Sequence, residues 1–162
     1  MSGDLSIDVS FAGTNIDLEE IGHQVGQAVE TSVREYGMLL QNQVRVNAST
    51  GFHKPGAPHI DGTGPGPNVA TGDYRRSISL EFSSGTLDGE RAVQGDVYTN
   101  SAQGGRLEYG FVGVDSLGRV YKQSPFPHFR PAADTIEPKF HAGVRSAVEG
   151  VLARARGSAS DG

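Results

Sequence analysis

The sequence predicts an α+β fold, an antiparallel β-sheet of about four or five strands packed against a long N-terminal helix and a C-terminal helix. Two observations carry the helices: apolar residues recur every three or four positions from Ile21 to Val44 and again from Ile136 to Ala155. A third carries the sheet. Between those stripes the chain breaks into short alternating runs, punctuated by Asp-Gly, Leu-Gly and proline-rich turns.

Leu5, Ile7, Val9 and Phe11 alternate with Ser6, Asp8 and Ser10, which reads as a strand with one buried face. Ala12–Asn15 is a turn. Asp17, followed three residues on by Glu20, forms a capping-box pair that starts the first helix. Ile21, Val25, Val29, Val33, Tyr36, Leu40 and Val44 then lie on one stripe. A helix from Asp17 to Val46 is about 45 Å long at 1.5 Å per residue, against roughly 30 Å across a compact domain of this size. The excess predicts either a kink near Gly37 or a projecting end that something else covers. Gly22 and Gly26 share a helix face, where another backbone can approach closely; otherwise each merely costs about 1 kcal/mol of helix propensity.

Residues 47–72 hold six glycines and four prolines and read as an extended loop. Such a long structureless loop is uncommon inside a self-contained domain, so it is expected to reach a neighbour or a central channel. Asp73–Arg76 is a short helix or turn leading into a strand at Ser77–Ser83. Leu87–Glu90 is a hairpin turn, Ala92–Thr99 the return strand, and Leu107–Tyr109 one helical turn. Phe111–Val114 and Arg119–Lys122 form a second hairpin around Asp115-Ser116-Leu117-Gly118. Pro125, Pro127 and Pro131 keep the next segment extended. The closing helix is capped at Asp134 or Thr135, which puts Pro138 in its first turn, and Arg154 and Arg156 suit its negative end. Residues 157–162 form a flexible tail. The whole, 1–162, reads as one domain.

Composition narrows function more than it names it. Apolar residues make up 36% of the chain and glycines number 23 of 162, roughly twice the usual ~7%, which fits a modest core with long loops. The absence of cysteine excludes disulfides and thiolate chemistry. A net charge of −5 lacks the basic excess of a general nucleic-acid binder. No apolar run approaches the ~20 residues of a membrane span. The N-terminus lacks a basic n-region and apolar h-region, so synthesis in a cytoplasm is expected.

No catalytic set emerges. His53, His59 and Asp61 match no usual metal-ligand spacing. Gly62–Pro67 resembles a phosphate loop, but its prolines remove N–H donors and no Gly-Lys-Ser/Thr follows. The carboxylates Glu81, Glu90, Asp96, Glu108 and Asp115 are scattered and read as solvated faces, and no Gly-x-Ser-x-Gly elbow occurs. No catalytic residue, cofactor or metal is therefore expected. Arg75 and Arg76 can bind phosphate or pair with carboxylates of this or an adjacent subunit. Phe126 and Phe129 can fill the domain's own core or anchor a neighbour. Together with His128 and Arg130, these four are the candidate interface residues.

Three anchors in order carry a resemblance. Thr71-Gly72-Asp73-Tyr74-Arg75-Arg76-Ser77-Ile78, Leu107-Glu108-Tyr109-Gly110 and Phe126-Pro127-His128-Phe129-Arg130-Pro131-Ala132 resemble the neck, or head–tail connector and tail-completion, family of long-tailed bacteriophages. Tyr74 stands where leucine is commoner, and the Gly51–Asn68 insertion departs from the compact family pattern. The resemblance covers roughly residues 17–156. It implies a structural virion protein that forms a ring, a hexamer or dodecamer, at the head–tail junction. DNA would pass through it with transient non-specific contact. It implies partners in head-side connector proteins and a tail terminator or tail-tube protein, assembly in the host cytoplasm and no membrane. A tail terminator capping the tube is the alternative within that class. A small hydrolase and a monomeric binding module are the alternatives outside it.

Overall fold

The structure is a computed structural model that describes residues 17–51, 72–87, 90–114 and 116–160. The expected strand at residues 5–11, most of the 47–72 loop with His53, His59 and Asp61, and Asp115 lie outside those residues. The element order is α1 (Leu18–Asn47), α2 (Asp73–Ser77), β1 (Ile78–Leu87), β2 (Glu90–Thr99), α3 (Gln103–Tyr109), β3 (Phe111–Val114), β4 (Val120–Gln123) and α4 (Phe129–Ser160). The class is α+β. Among the described residues the strands form two separate antiparallel pairs, β1–β2 and β3–β4, instead of one larger sheet.

Helix α1 begins where the cap predicts. The Asp17 carboxylate accepts from the Glu20 N–H at 3.0 Å, while the Glu20 carboxylate takes the Gln24 amide instead of reaching back. The helix runs unbroken for 30 residues through Gly37. Its length is matched by α4, of 32 residues, which packs along it. The two run antiparallel. Asn47 donates to the His128 carbonyl at 3.1 Å, Tyr36 meets Phe140 edge-on with ring centroids 5.8 Å apart, and the Tyr36 ring lies on Gly143. The projecting end of one long helix is thus covered by another. Gly37 serves packing: the Phe82 ring sits between Gly37 and Gly95, and a methyl at either would come within 3.0 Å of it. Around a Cβ placed at Gly22 or Gly26 nothing lies within 4 Å among the described residues, so neither receives a close backbone from them.

In β1–β2, Leu80 pairs with Val97 and Phe82 with Gly95, on the face turned to α1. Glu81 with Asp96 and Ser83 with Gln94 take the other face. This alternation places an apolar side on the helix and a polar side on solvent. The core gathers where α1, β1 and α4 meet: Val44, Ala48, Ile78 and Ala132 are buried, with Leu40, Tyr74, Val97 and Phe129 packed around them.

Helix α4 departs from expectation at both ends. It starts at Phe129 rather than beyond Asp134, so Pro131 lies in its first turn and Pro138 inside it. It also continues to Ser160, where a tail was expected from residue 157. The early start has a tertiary cause, given next.

Candidate functional site

The first turn of a helix leaves about four N–H groups without intrahelical partners. In α4 these belong to His128, Phe129, Arg130 and residue 131, and Pro131 has no N–H. The Glu108 carboxylate, from α3, serves the other three. Its Oε2 accepts from the His128 N–H at 2.8 Å and the Phe129 N–H at 3.0 Å, and its Oε1 from the Arg130 N–H at 3.0 Å. One side chain twenty residues upstream therefore replaces a local cap, and its negative charge opposes the positive helix end. Glu108, expected on a solvated face, is only 8% exposed. Burial alone raises its pKa, but the N–H bonds from Arg130, His128 and Phe129 outweigh that and hold it below its ordinary value.

His128, expected at an interface, is 0% exposed within the chain, its ring enclosed by the chain's own residues. Its Nδ1 lies 2.8 Å from the Phe126 carbonyl, which can only accept, so Nδ1 carries the proton. The same nitrogen is 3.1 Å from Glu108 Oε2. Nε2 is then free to accept, and the Tyr74 hydroxyl of α2 donates to it at 2.5 Å. Tyr74 and Phe129 pack their rings on the imidazole, at centroid distances of 5.4 and 5.1 Å. The Tyr74 hydroxyl is pushed up to about 12 by burial and by the Glu108 charge.

A tyrosine, histidine and glutamate in a chain resemble a nucleophile, base and orienting acid. The geometry argues against that chemistry. The imidazole has no exposed atom, Glu108 is committed to three backbone donors, and burial makes Tyr74 a weaker nucleophile rather than an activated one. The cluster is a joint. It ties α2, α3, the segment before α4 and α4 itself at one point.

The supporting geometry is local. Gly110 ends α3 at φ 79°, ψ 177°, and a side chain there would also strike the Gln123 carbonyl at 2.8 Å. The Leu107 carbonyl accepts from the Phe126 N–H at 2.6 Å. Gly104 lets α3 sit against Thr99 of β2, whose methyl would be 2.6 Å from an added Cβ.

The remaining expected interface residues scatter. Phe126 and Phe129 are half-buried, and Phe129 packs on the core. The Arg130 side chain is exposed while its backbone enters the joint. Arg75 and Arg76 are exposed on α2. Arg76 pairs with Asp73, and Arg75 reaches the Ser49 hydroxyl at 3.5 Å. With Arg45 they line a cleft of about 740 Å³ beside the end of α1. A second, apolar groove of about 360 Å³ lies between α1, β2 and α4. Among the described residues no cluster of three metal-ligating side chains occurs and no helix is long and apolar enough to cross a membrane. Comparison of the chain with protein-family models, curated proteins and solved structures finds no match.

Proposed function

We propose that this chain is a structural subunit of a tailed-phage head–tail junction, assembling as a cyclic homo-oligomer through which DNA passes, and that it has no catalytic role. One observation carries the reading. Tyr74, Glu108 and His128 come one from each of the three ordered segments that resemble the neck family, Tyr74 at the position where leucine is commoner, and in the fold His128 is hydrogen-bonded to Tyr74 and both hydrogen-bonded and ion-paired to Glu108. Motifs that meet at one buried joint behave as a unit, which gives their order and spacing more weight than any of the three has alone. The joint has the make-up of a scaffold rather than of a reaction centre, as expected of an assembly part. The net charge of −5 suits a lumen that must not retain passing DNA.

The purified chain is expected to form a closed ring by light scattering and electron microscopy, either alone or when mixed with head-side connector and tail-tube proteins. Deleting its gene should leave filled heads and finished tails unjoined. A chain that stays monomeric with those partners present, or joined infectious particles in its absence, would overturn the reading.

A further inference from the structure

The β3–β4 hairpin and the α1–β2–α4 groove are complementary surfaces on one chain, and among the described residues neither covers the other. In the hairpin register Val112 pairs with Lys122 and Val114 with Val120, so these four share a face. That face is open: Val112 is 77%, Val114 61% and Val120 78% exposed. The opposite face is closed by Phe111, whose ring covers Gly113 and carries the Arg106 guanidinium 4.2 Å above it. The two strands pack mainly on each other. An isolated two-stranded hairpin is marginal in water, and one with an uncovered valine face calls for a partner.

The groove offers the converse shape. Val33, Leu40, Val93, Ile136 and Phe140 line it together with Gly37 and Gly95, and Glu137 stands on its rim. Glu137 is exposed, and His141 lies 3.8 Å from its carboxylate. No described hairpin residue lines the groove, so the chain does not fill it with its own hairpin. The hairpin face carries one cation, Lys122, and the groove rim one carboxylate, Glu137, which gives the pairing a sign and a register.

We infer that the valine face of the β3–β4 hairpin of one subunit seats in the α1–β2–α4 groove of the next copy, with Lys122 facing Glu137. Two different patches meet, so the contact is heterologous: it closes into a ring if the rotation per subunit permits and otherwise grows as a filament. The inference rests on the ring assembly proposed above and names the surfaces that build it.

The test uses the full-length chain. Val114→Glu spoils the hairpin and leaves the groove; Ala133→Arg, at an exposed position lining the groove, does the reverse. Each variant alone should be a folded monomer by light scattering, with an unchanged melt at low concentration. Mixed one to one, they should form a dimer and stop, because only one hairpin and one groove remain intact. The chain lacks cysteine, so Val114→Cys mixed with Ala133→Cys should also give a disulfide-linked dimer under mild oxidation. If the wild-type chain is oligomeric and both variants still are, the inference fails and the ring reading stands. If the wild-type chain is monomeric with its virion partners present, both fail. Separate monomers that do not pair on mixing overturn the head-to-tail contact. So does a groove variant that melts earlier as a monomer, since the groove would then be filled by another part of the same chain.

Discussion

At the scale of single residues, Glu108 has the largest expected effect. Hydrogen bonds to a charged group contribute about 1.5–3 kcal/mol each, and a donor left buried without a partner costs about 1–3 kcal/mol. Glu108→Ala orphans three N–H groups at the head of α4, so a loss of roughly 3–5 kcal/mol is expected in a chemical melt. Glu108→Gln should lose about half as much, because the amide keeps one acceptor and turns a donor on the others. The same carboxylate sets an acid dependence. Its folded pKa lies below its ordinary value of 4.5, so its contribution is complete above that pH and fades as pH falls below it. Melts from about pH 6 to pH 3 should show this loss in the wild type and a flatter profile in Glu108→Gln. Tyr74 has the opposite sign. Its stabilisation is complete below 10 and is lost as pH rises towards about 12. Tyr74→Phe removes the donor to His128 and should cost about 1–3 kcal/mol at neutral pH, which urea unfolding would measure.

At the scale of elements, legibility depended on how far apart the deciding atoms lie in sequence. The start of α1 was readable because cap and capped group, Asp17 and Glu20, are three residues apart. The start of α4 was not, because its cap is Glu108. Asp134 and Thr135 look like the local signal, but both lie within the helix. A hint was present: Pro131, suited to a first helical turn, follows His128, Phe129 and Arg130, with no Ser, Thr, Asp or Asn among them to cap their N–H groups. The continuity of α1 through Gly37 was hidden for a similar reason, since the Phe82 ring that uses the glycine comes from β1. Packing of α1 on α4 gives a paired prediction. A methyl at Gly143 would lie within 2.5 Å of Tyr36 Cε2, and Tyr36 is held edge-on by Phe140. Gly143→Ala should therefore destabilise by about 1–3 kcal/mol from overpacking, reduced by up to about 1 kcal/mol of gained helix propensity. Gly150→Ala, where the nearest heavy atom would be Arg154 Nη1 at 3.7 Å, keeps the propensity gain without the clash. It should raise the melting temperature while Gly143→Ala lowers it.

For the whole molecule, the arrangement is a rigid centre with unfinished edges. The joint of Tyr74, Glu108 and His128 fixes where α4 leaves the body, and hence how the groove walls stand relative to the hairpin that follows α3. Surfaces of that kind make stability a matter of concentration, because a copy that binds the folded chain and not the unfolded one stabilises it by mass action. Raising the subunit concentration c from near the dissociation constant to about a hundredfold above it should add about 2.3 kcal/mol, from RT ln(1 + c/Kd) at the two ends. For a chain of this length that is roughly 5–10 °C in melting temperature, at about 2–4 °C per kcal/mol. The wild-type chain is therefore expected to melt later as it is concentrated, whereas Val114→Glu should melt at one temperature throughout. The two curves should meet at high dilution, because Val114 is exposed in the lone subunit and its loss removes little from the subunit's own core. A wild-type melting temperature independent of concentration over that range would mean that the subunit is complete by itself. A variant that melts lower than the wild type even at high dilution would place Val114 in the fold rather than at the junction between copies.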